Sequence, residues 1–146
     1  MKTHMKEVMT KDVEVIPPGC TVQDAAQKMK DLNIGALPIC SHDKLVGMIT
    51  DRDIVIRVVA CGLDPRTIEV ETAMSSPIVY CFEDQDITDA VRLMEIKQIR
   101  RLPVINHEKR LVGMVSLGDL VVKTEGSELK AEVIQRVSEP TRGQVA

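Results

Sequence analysis

The stretch Leu45-Val46-Gly47-Met48-Ile49-Thr50 returns 66 positions later as Leu111-Val112-Gly113-Met114-Val115-Ser116, and this recurrence decides the fold. Outward from it the match continues at a displacement of 65. Ala36-Leu37-Pro38-Ile39 meets Arg101-Leu102-Pro103-Val104, Thr21-Val22-Gln23-Asp24-Ala25 meets Asp86-Ile87-Thr88-Asp89-Ala90, and Val8-Met9-Thr10 meets Ala73-Met74-Ser75. The change of displacement puts one inserted residue within 107–110, a short polar turn, where an extra residue leaves the facing side chains of paired strands in place. A repeat of this length is a structural unit that buries its apolar face against a neighbour.

The periodicities name the elements of each copy. Residues 13–16 and 78–80 are short β-branched runs, hence strands. Thr21 followed three residues later by Asp24 reads as a capping-box start, after which Val22, Ala25, Ala26, Met29 and Leu32 share one helical face, and Asn33 and Gly35 stop the helix. Residues 36–40 and 45–50 form a hairpin around 41–44, and a second helix starts near Asp51 and carries Ile54, Val55, Val58 and Val59. In the second copy Ile87, Ala90, Val91 and Met94 repeat the first helix's stripe, and the second helix runs from Leu117. Each copy therefore reads β-α-β-β-α, an α+β fold. The copies span 8–62 and 73–124, joined by a turn-rich linker over 63–72 and followed by a polar tail over 125–146 with a helix expected at 128–137.

Composition bounds the function. Apolar residues make up 44% and charged residues 28% of 146 residues, an ordinary globular balance. Tyr80 and Phe82 are the aromatics, and the net charge is −3 with basic residues interspersed among acidic ones, so neither stacking platforms nor a basic stripe is present for nucleic acid. The first residues contain no apolar leader core, and the most apolar stretch, 54–63, is broken by Arg57, which points to a cytoplasmic chain with no membrane partner. Cys20, Cys40, Cys61 and Cys81 have no C-x-x-C spacing and read as buried, reduced thiols. His42 and His107 occupy matching turns, explained by the polarity of those turns and the adjacent Asp43 and Glu108. No catalytic triad spacing, P-loop or dinucleotide glycine motif occurs, so no catalytic site is expected.

With Gly47-Met48-Ile49-Thr50-Asp51-Arg52-Asp53 and Gly113-Met114-Val115-Ser116-Leu117-Gly118-Asp119 in place, each preceded by Leu-Pro, the chain resembles two tandem CBS (cystathionine-β-synthase) domains, together a Bateman module. It is most similar to bacterial stand-alone CBS-pair proteins. The resemblance implies that the two units pack through their sheets about a pseudo-two-fold axis and that the module forms a homodimer. It also implies a regulatory ligand, an adenine nucleotide (AMP, ADP or ATP, with S-adenosylmethionine or NAD as further candidates), and an unknown regulated enzyme or transporter as partner.

A hydroxyl and a carboxylate three residues apart at a strand-to-helix junction suit that ligand. The glycine permits close backbone approach, the acceptor-only Asp can take both hydroxyl hydrogens of a ribose diol, and the hydroxyl and free helix N–H groups face phosphate. The competing reading is that Asp53 and Asp119 serve their helix N-termini. By the resemblance each cleft mixes the copies. One would use Ser116, Asp119, Val115 and Arg101 with Ile34, Gly35 and Ala36 walling the base; the other would use Thr50, Asp53 and Ile49 with Ile99, Arg100 and Arg101 opposite, and backbone near 10–13 and 75–78 reading the base edge. The resemblance also implies a phosphate-binding arginine at the position of Arg101, where the first copy has Ala36; Arg52 could compensate where Gly118 cannot, so the sites are expected to be unequal. The rival functions are a ligand-free interaction module acting through its dimer surface, and a redox or metal switch built on Cys20, Cys40 or His42.

Overall fold

A computed structural model describes residues 3–75 and 77–123 of the chain, with no side-chain description at 121–123. The tail over 125–146 and the helix expected at 128–137 lie outside the described residues. Contacts divide the chain into two compact units. The Asp53 unit comprises Glu14–Ile78 with Lys109–Leu111, and the Asp119 unit comprises the described parts of Met1–Val13, Val79–Glu108 and Val112–Ala146. The segment that opens the first copy, with Val8-Met9-Thr10, thus belongs to the unit built on the second copy's body, and the matching Ala73-Met74-Ser75 belongs to the unit built on the first.

In the Asp53 unit, Thr21 and Asp24 form the expected capping box: the Thr21 hydroxyl accepts the Asp24 N–H at 3.1 Å and the Asp24 carboxylate accepts the Thr21 N–H at 3.1 Å. Helix α2 (Val22–Leu32) follows, and Asn33 closes it in the left-handed region at φ 54°. Val22, Ala25 and Met29 are buried, whereas Leu32, expected on the same face, is exposed in the last turn. Strands β1 (Ala36–Ser41) and β2 (Lys44–Thr50) form an antiparallel hairpin. Its turn residues His42 and Asp43 both take positive φ, the geometry whose twist matches right-handed strands. Lys109–Leu111 joins this unit through backbone bonds from Leu45 N–H to the Lys109 carbonyl and from Leu111 N–H to the Asp43 carbonyl.

The second helix departs from expectation. Helix α3 (Asp51–Ile54) gives way to a π-helical turn over Val55–Val59, where four of five residues are β-branched and crowd a regular α-turn. The wider turn rotates the stripe: Val58 is fully buried, while Val55 and Val59, expected beside it, are 57% and 63% exposed. The linker's end is structured as well. Helix α4 (Val70–Ala73) inserts Val70 and Ala73 into the core with Ile16, Leu37, Ile39 and Ile49, and such burial stabilises by about 2 kcal/mol for a valine.

The Asp119 unit holds α1 (Met5–Val8), β3 (Cys81–Phe82), α5 (Ile87–Lys97), β4 (Arg101–Ile105), β5 (Leu111–Ser116) from Val112 onward, and α6 (Leu117–Lys123). Its sheet runs β3-β4-β5, with β3 parallel to β4. Ile87, Ala90 and Met94 are buried as the repeat requires, joined by Met5, Val8, Met9, Leu102, Val104 and Leu120. The opening strand of the second copy sits later than the expected 78–80, and that of the first keeps only the last residue of the expected 13–16. In the second copy it is β3, and in the first it shrinks to one parallel bridge between Ile16 and Ile39. The reason is chemical: Pro17 and Pro18 stand where the second copy has Phe82 and Glu83, and Glu83 donates its N–H to the Ile105 carbonyl, a bond proline cannot make. No helix among the described residues is long and apolar enough to cross a membrane.

Candidate functional site

Both hydroxyl–Asp motifs fold into the same local device at the end of a strand. The Thr50 hydroxyl accepts the Asp53 N–H at 3.1 Å, and Asp53 Oδ2 accepts the Thr50 N–H at 2.9 Å. In the second copy the Ser116 hydroxyl accepts the Asp119 N–H at 3.1 Å, and Asp119 Oδ2 accepts the Ser116 N–H at 2.9 Å. Each pair is a reciprocal cap that satisfies two orphan donors, so the helix-capping role weighed for these residues is real in both copies.

The motif's glycine serves a different contact from the one expected. A Cβ on Gly47 would lie 2.5 Å from Met74 Sδ, and one on Gly113 would lie 2.7 Å from Met9 Sδ and 2.8 Å from the Thr10 carbonyl oxygen. The close approach is therefore to the methionine of the Ala73-Met74-Ser75 or Val8-Met9-Thr10 segment, not to an open cleft. Backbone bonds fasten the same segments: Ser75 N–H to the Met48 carbonyl at 2.8 Å, and Thr10 and Met114 exchanging both bonds at 2.7 and 2.9 Å. The backbone N–H and carbonyl of Thr10 are thereby both engaged by the strand.

Around Asp53 the carboxylate is crowded. It is 8% exposed, its Oδ2 also accepts the Ser75 hydroxyl at 2.6 Å, and Arg57 Nε lies 3.7 Å from Oδ1 while Arg57 Nη1 donates to the Met74 carbonyl at 3.1 Å. Ile34, Gly35 and Ala36 lie alongside: Asp51 donates its N–H to the Gly35 carbonyl at 2.9 Å, and Ala36 pairs with Thr50. The Asp51 carboxylate borders Gly35, within 3.0 Å of where a Cβ would sit, and Arg52 is exposed. The Ile49 side chain is fully buried in the core and can offer a ligand only its backbone.

Around Asp119 the setting differs. Arg100 and Arg101 are exposed, and the Arg100 carbonyl accepts the Leu117 N–H at 2.8 Å, which brings the start of β4 beside Ser116. Where the first copy has Gly35 and Asp51, this one has Arg100 and Leu117. Ile99 is half-buried against the core, and Val115, like Ile49, is fully buried. The structure thus gathers Ile99, Arg100, Arg101, Val115, Ser116 and Asp119 within one unit, and Ile34, Gly35, Ala36, Ile49, Thr50, Arg52 and Asp53 within the other. The participation of Ser75 and Arg57 escaped the sequence reading; the recurrence of Met-Ser and Met-Thr ahead of each copy was the available signal.

The cysteines and histidines have local explanations. Burial, reinforced by Asp43, pushes the Cys40 thiol up to about 11, and burial with Asp89 pushes Cys81 up to about 12. Cys61 is exposed. His107 finds its partner in Asp84 at 2.8 Å and stacks on Phe82 at a centroid distance of 4.7 Å, and its hydrogen bond holds the Asp84 carboxyl below the usual carboxylate range. Among the described residues no group of three or more His, Cys, Asp or Glu side chains could hold a metal ion.

This geometry meets a family pattern. The model of the CBS domain matches the chain twice, over residues 5–60 and 69–125. The protein belongs to the CBS-domain family and carries two CBS domains. Its relatives include the CBS domain-containing protein YhcV of Bacillus subtilis, 40% identical over 93% of this chain and 96% of the relative. Among solved structures it is similar to Hypoxic Response Protein I with two coordinated zinc ions, at 40% identity and a TM-score of 0.77 over 83% of this chain and 98% of that one. A hexameric CBS-CP12 protein from bloom-forming cyanobacteria matches at 34% identity and a TM-score of 0.71 over 86% of this chain and 74% of that one. The family matches begin at residues 5 and 69, so each includes the segment that carries Met9 or Met74.

Proposed function

We propose that the protein is a non-catalytic regulatory module of the Bateman type that binds an adenine nucleotide, AMP, ADP or ATP. One observation carries this reading: exposed Arg100 and Arg101 stand at the start of β4 beside Ser116, three residues from the Asp119 carboxylate. Arginine suits a phosphate through its planar donors, and a carboxylate suits a ribose diol because it only accepts. The absence of a tryptophan and the scarcity of aromatics make the base's environment aliphatic.

A second reading, a ligand-free interaction module, has its own support, because both Asp residues have structural work as caps. Self-association fits either reading. Val55, Ile56, Val59 and Leu63 leave an apolar face exposed on the Asp53 unit, and a second copy of the chain is the proposed partner for it, since an assembly of six is named for one relative. A cytoplasmic setting and a regulated enzyme or transporter complete the proposal.

Titrating AMP, ADP, ATP and S-adenosylmethionine into the full chain by calorimetry tests it. Binding heat for an adenine nucleotide is expected, with stabilisation of about 2.7 kcal/mol at a ligand concentration of about 100 Kd. No heat with any of them, together with no thermal shift, overturns nucleotide binding and leaves the interaction module.

A further inference from the structure

The two hydroxyl–Asp motifs differ in how much of the carboxylate is already spent. Asp53 is engaged on both oxygens, Oδ2 by the Thr50 N–H and the Ser75 hydroxyl and Oδ1 by the Arg57 guanidinium at 3.7 Å. Arg57 also holds the Met74 carbonyl, so the same two residues tie the Met74-Ser75 segment to α3. Asp119 Oδ2 accepts the Ser116 N–H, and the comparison with Asp53 is made at Ser75 alone, because the counterpart of Arg57 is Lys123, whose side chain lies outside the described residues. Thr10, the counterpart of Ser75, is exposed and its hydroxyl makes no such bond to Asp119 among the described residues.

A diol needs two acceptor directions on one carboxylate, and a donor already seated at 2.6 Å must leave before a ribose hydroxyl can take its place. Breaking that contact would strand the Ser75 hydroxyl, which would lose a charge-assisted bond, and a hydroxyl arriving at Oδ1 would compete with the Arg57 ion pair. Local charge acts in the same direction. Asp51 offsets exposed Arg52 beside Asp53, and Arg57 is already paired with that carboxylate, whereas exposed Arg100 and Arg101 precede the Ser116–Asp119 junction, which has Leu117 in the place of Asp51.

We infer that Asp53 is a structural latch, closed by Ser75 and Arg57, and that Ser116–Asp119 is the motif left open to the ribose of the nucleotide. The second half of this inference rests on the proposed nucleotide binding; the first half does not. The latch makes Ser75 and Arg57 positioning residues whose removal frees a second acceptor.

The test uses the full chain with ATP and AMP as probes in calorimetry, and thermal unfolding as an independent readout. The wild-type protein is expected to bind one nucleotide per chain, and Asp119→Asn, which keeps an oxygen acceptor for the Ser116 N–H, is expected to lose that binding at least tenfold. The double variant R57M/S75A is expected to raise the stoichiometry to two. Two equal sites in the wild type, or a stoichiometry that stays at one in the double variant, overturns the inference. In unfolding, Ser75→Ala is expected to lower Tm by about 3 °C and Thr10→Ala to leave it unchanged; equal shifts overturn the latch. No heat from either the wild type or the double variant overturns nucleotide binding and the assignment of Asp119 with it, and the Tm comparison then decides the latch on its own.

Discussion

The Asp53 and Asp119 units are built from copies of one sequence, and they agree where backbone geometry is concerned and diverge where side chains meet. Both end a strand on a hydroxyl, both close a reciprocal cap with the Asp three residues on, and both seat a methionine against the motif's glycine. Around that shared frame one carboxylate is held by Ser75 and Arg57, and the other lies at a junction tied to the backbone of exposed Arg100, with exposed Arg101 next in the chain. Duplication preserves the interactions that fold each unit, while the residues around the cap are free to give the two motifs different chemistry.

The glycines offer the strongest way to break the likeness. Gly113→Ala would press a methyl on the Thr10 carbonyl, which the strand holds rigidly, whereas Gly47→Ala presses on the Met74 thioether, which can turn aside. Chemical denaturation is expected to show a loss of about 3 kcal/mol for Gly113→Ala and about 1 kcal/mol for Gly47→Ala. Equal costs would mean that Met74 is held as firmly as the Thr10 backbone.

The caps should sharpen the likeness instead. Thr50→Ala and Ser116→Ala each remove one acceptor of a reciprocal pair and are expected to cost a similar amount, about 1 kcal/mol, by the same measurement. A marked difference between them would contradict a shared structural role.

Thiol chemistry separates the units by position in the core. Cys40 and Cys81, raised to about 11 and about 12 by burial, are expected to resist a thiol reagent at pH 8 until the protein unfolds, while exposed Cys61 reacts at once. Rapid modification of all four in the folded protein would place the cores elsewhere.

The smallest effect belongs to Asp84, which Gly19 replaces in the other copy. Its carboxyl is lowered mainly by the His107 hydrogen bond. A depressed pKa contributes stability that is present above the ordinary carboxylate value and lost as pH falls through the lowered one, so the contribution disappears only in strongly acidic solution. Carboxyl-detected NMR is expected to show Asp84 titrating below an ordinary aspartate, and His107→Ala to return it to the usual range.

Much of this frame is legible in the sequence because it rests on local rules. Thr21 with Asp24, the left-handed Asn33 and the hairpin around His42-Asp43 each follow from chemistry contained within a few residues. What escaped depends on contacts distant in sequence or on competition between neighbours. Ser75 reaches Asp53 across 22 residues, and no spacing rule announces it. Pro17 and Pro18 suppress a strand that the run before them suggests. The β-branched run from Val55 to Val59 fits an α-helical stripe on paper, and only the π-turn exposes Val55 and Val59. The exchange of opening segments is invisible to repeat alignment, which reports which residues correspond and not which ones touch.

The central claim, one fold with two unequal motifs, is tested most directly by adding ATP to the isotopically labelled full chain and following its backbone amides by NMR. The account predicts shifts concentrated at Arg100, Arg101 and the Ser116–Asp119 motif, with the amides of Thr50, Asp53 and Ser75 unmoved. Equal shifts at both motifs, or none at either, would contradict it.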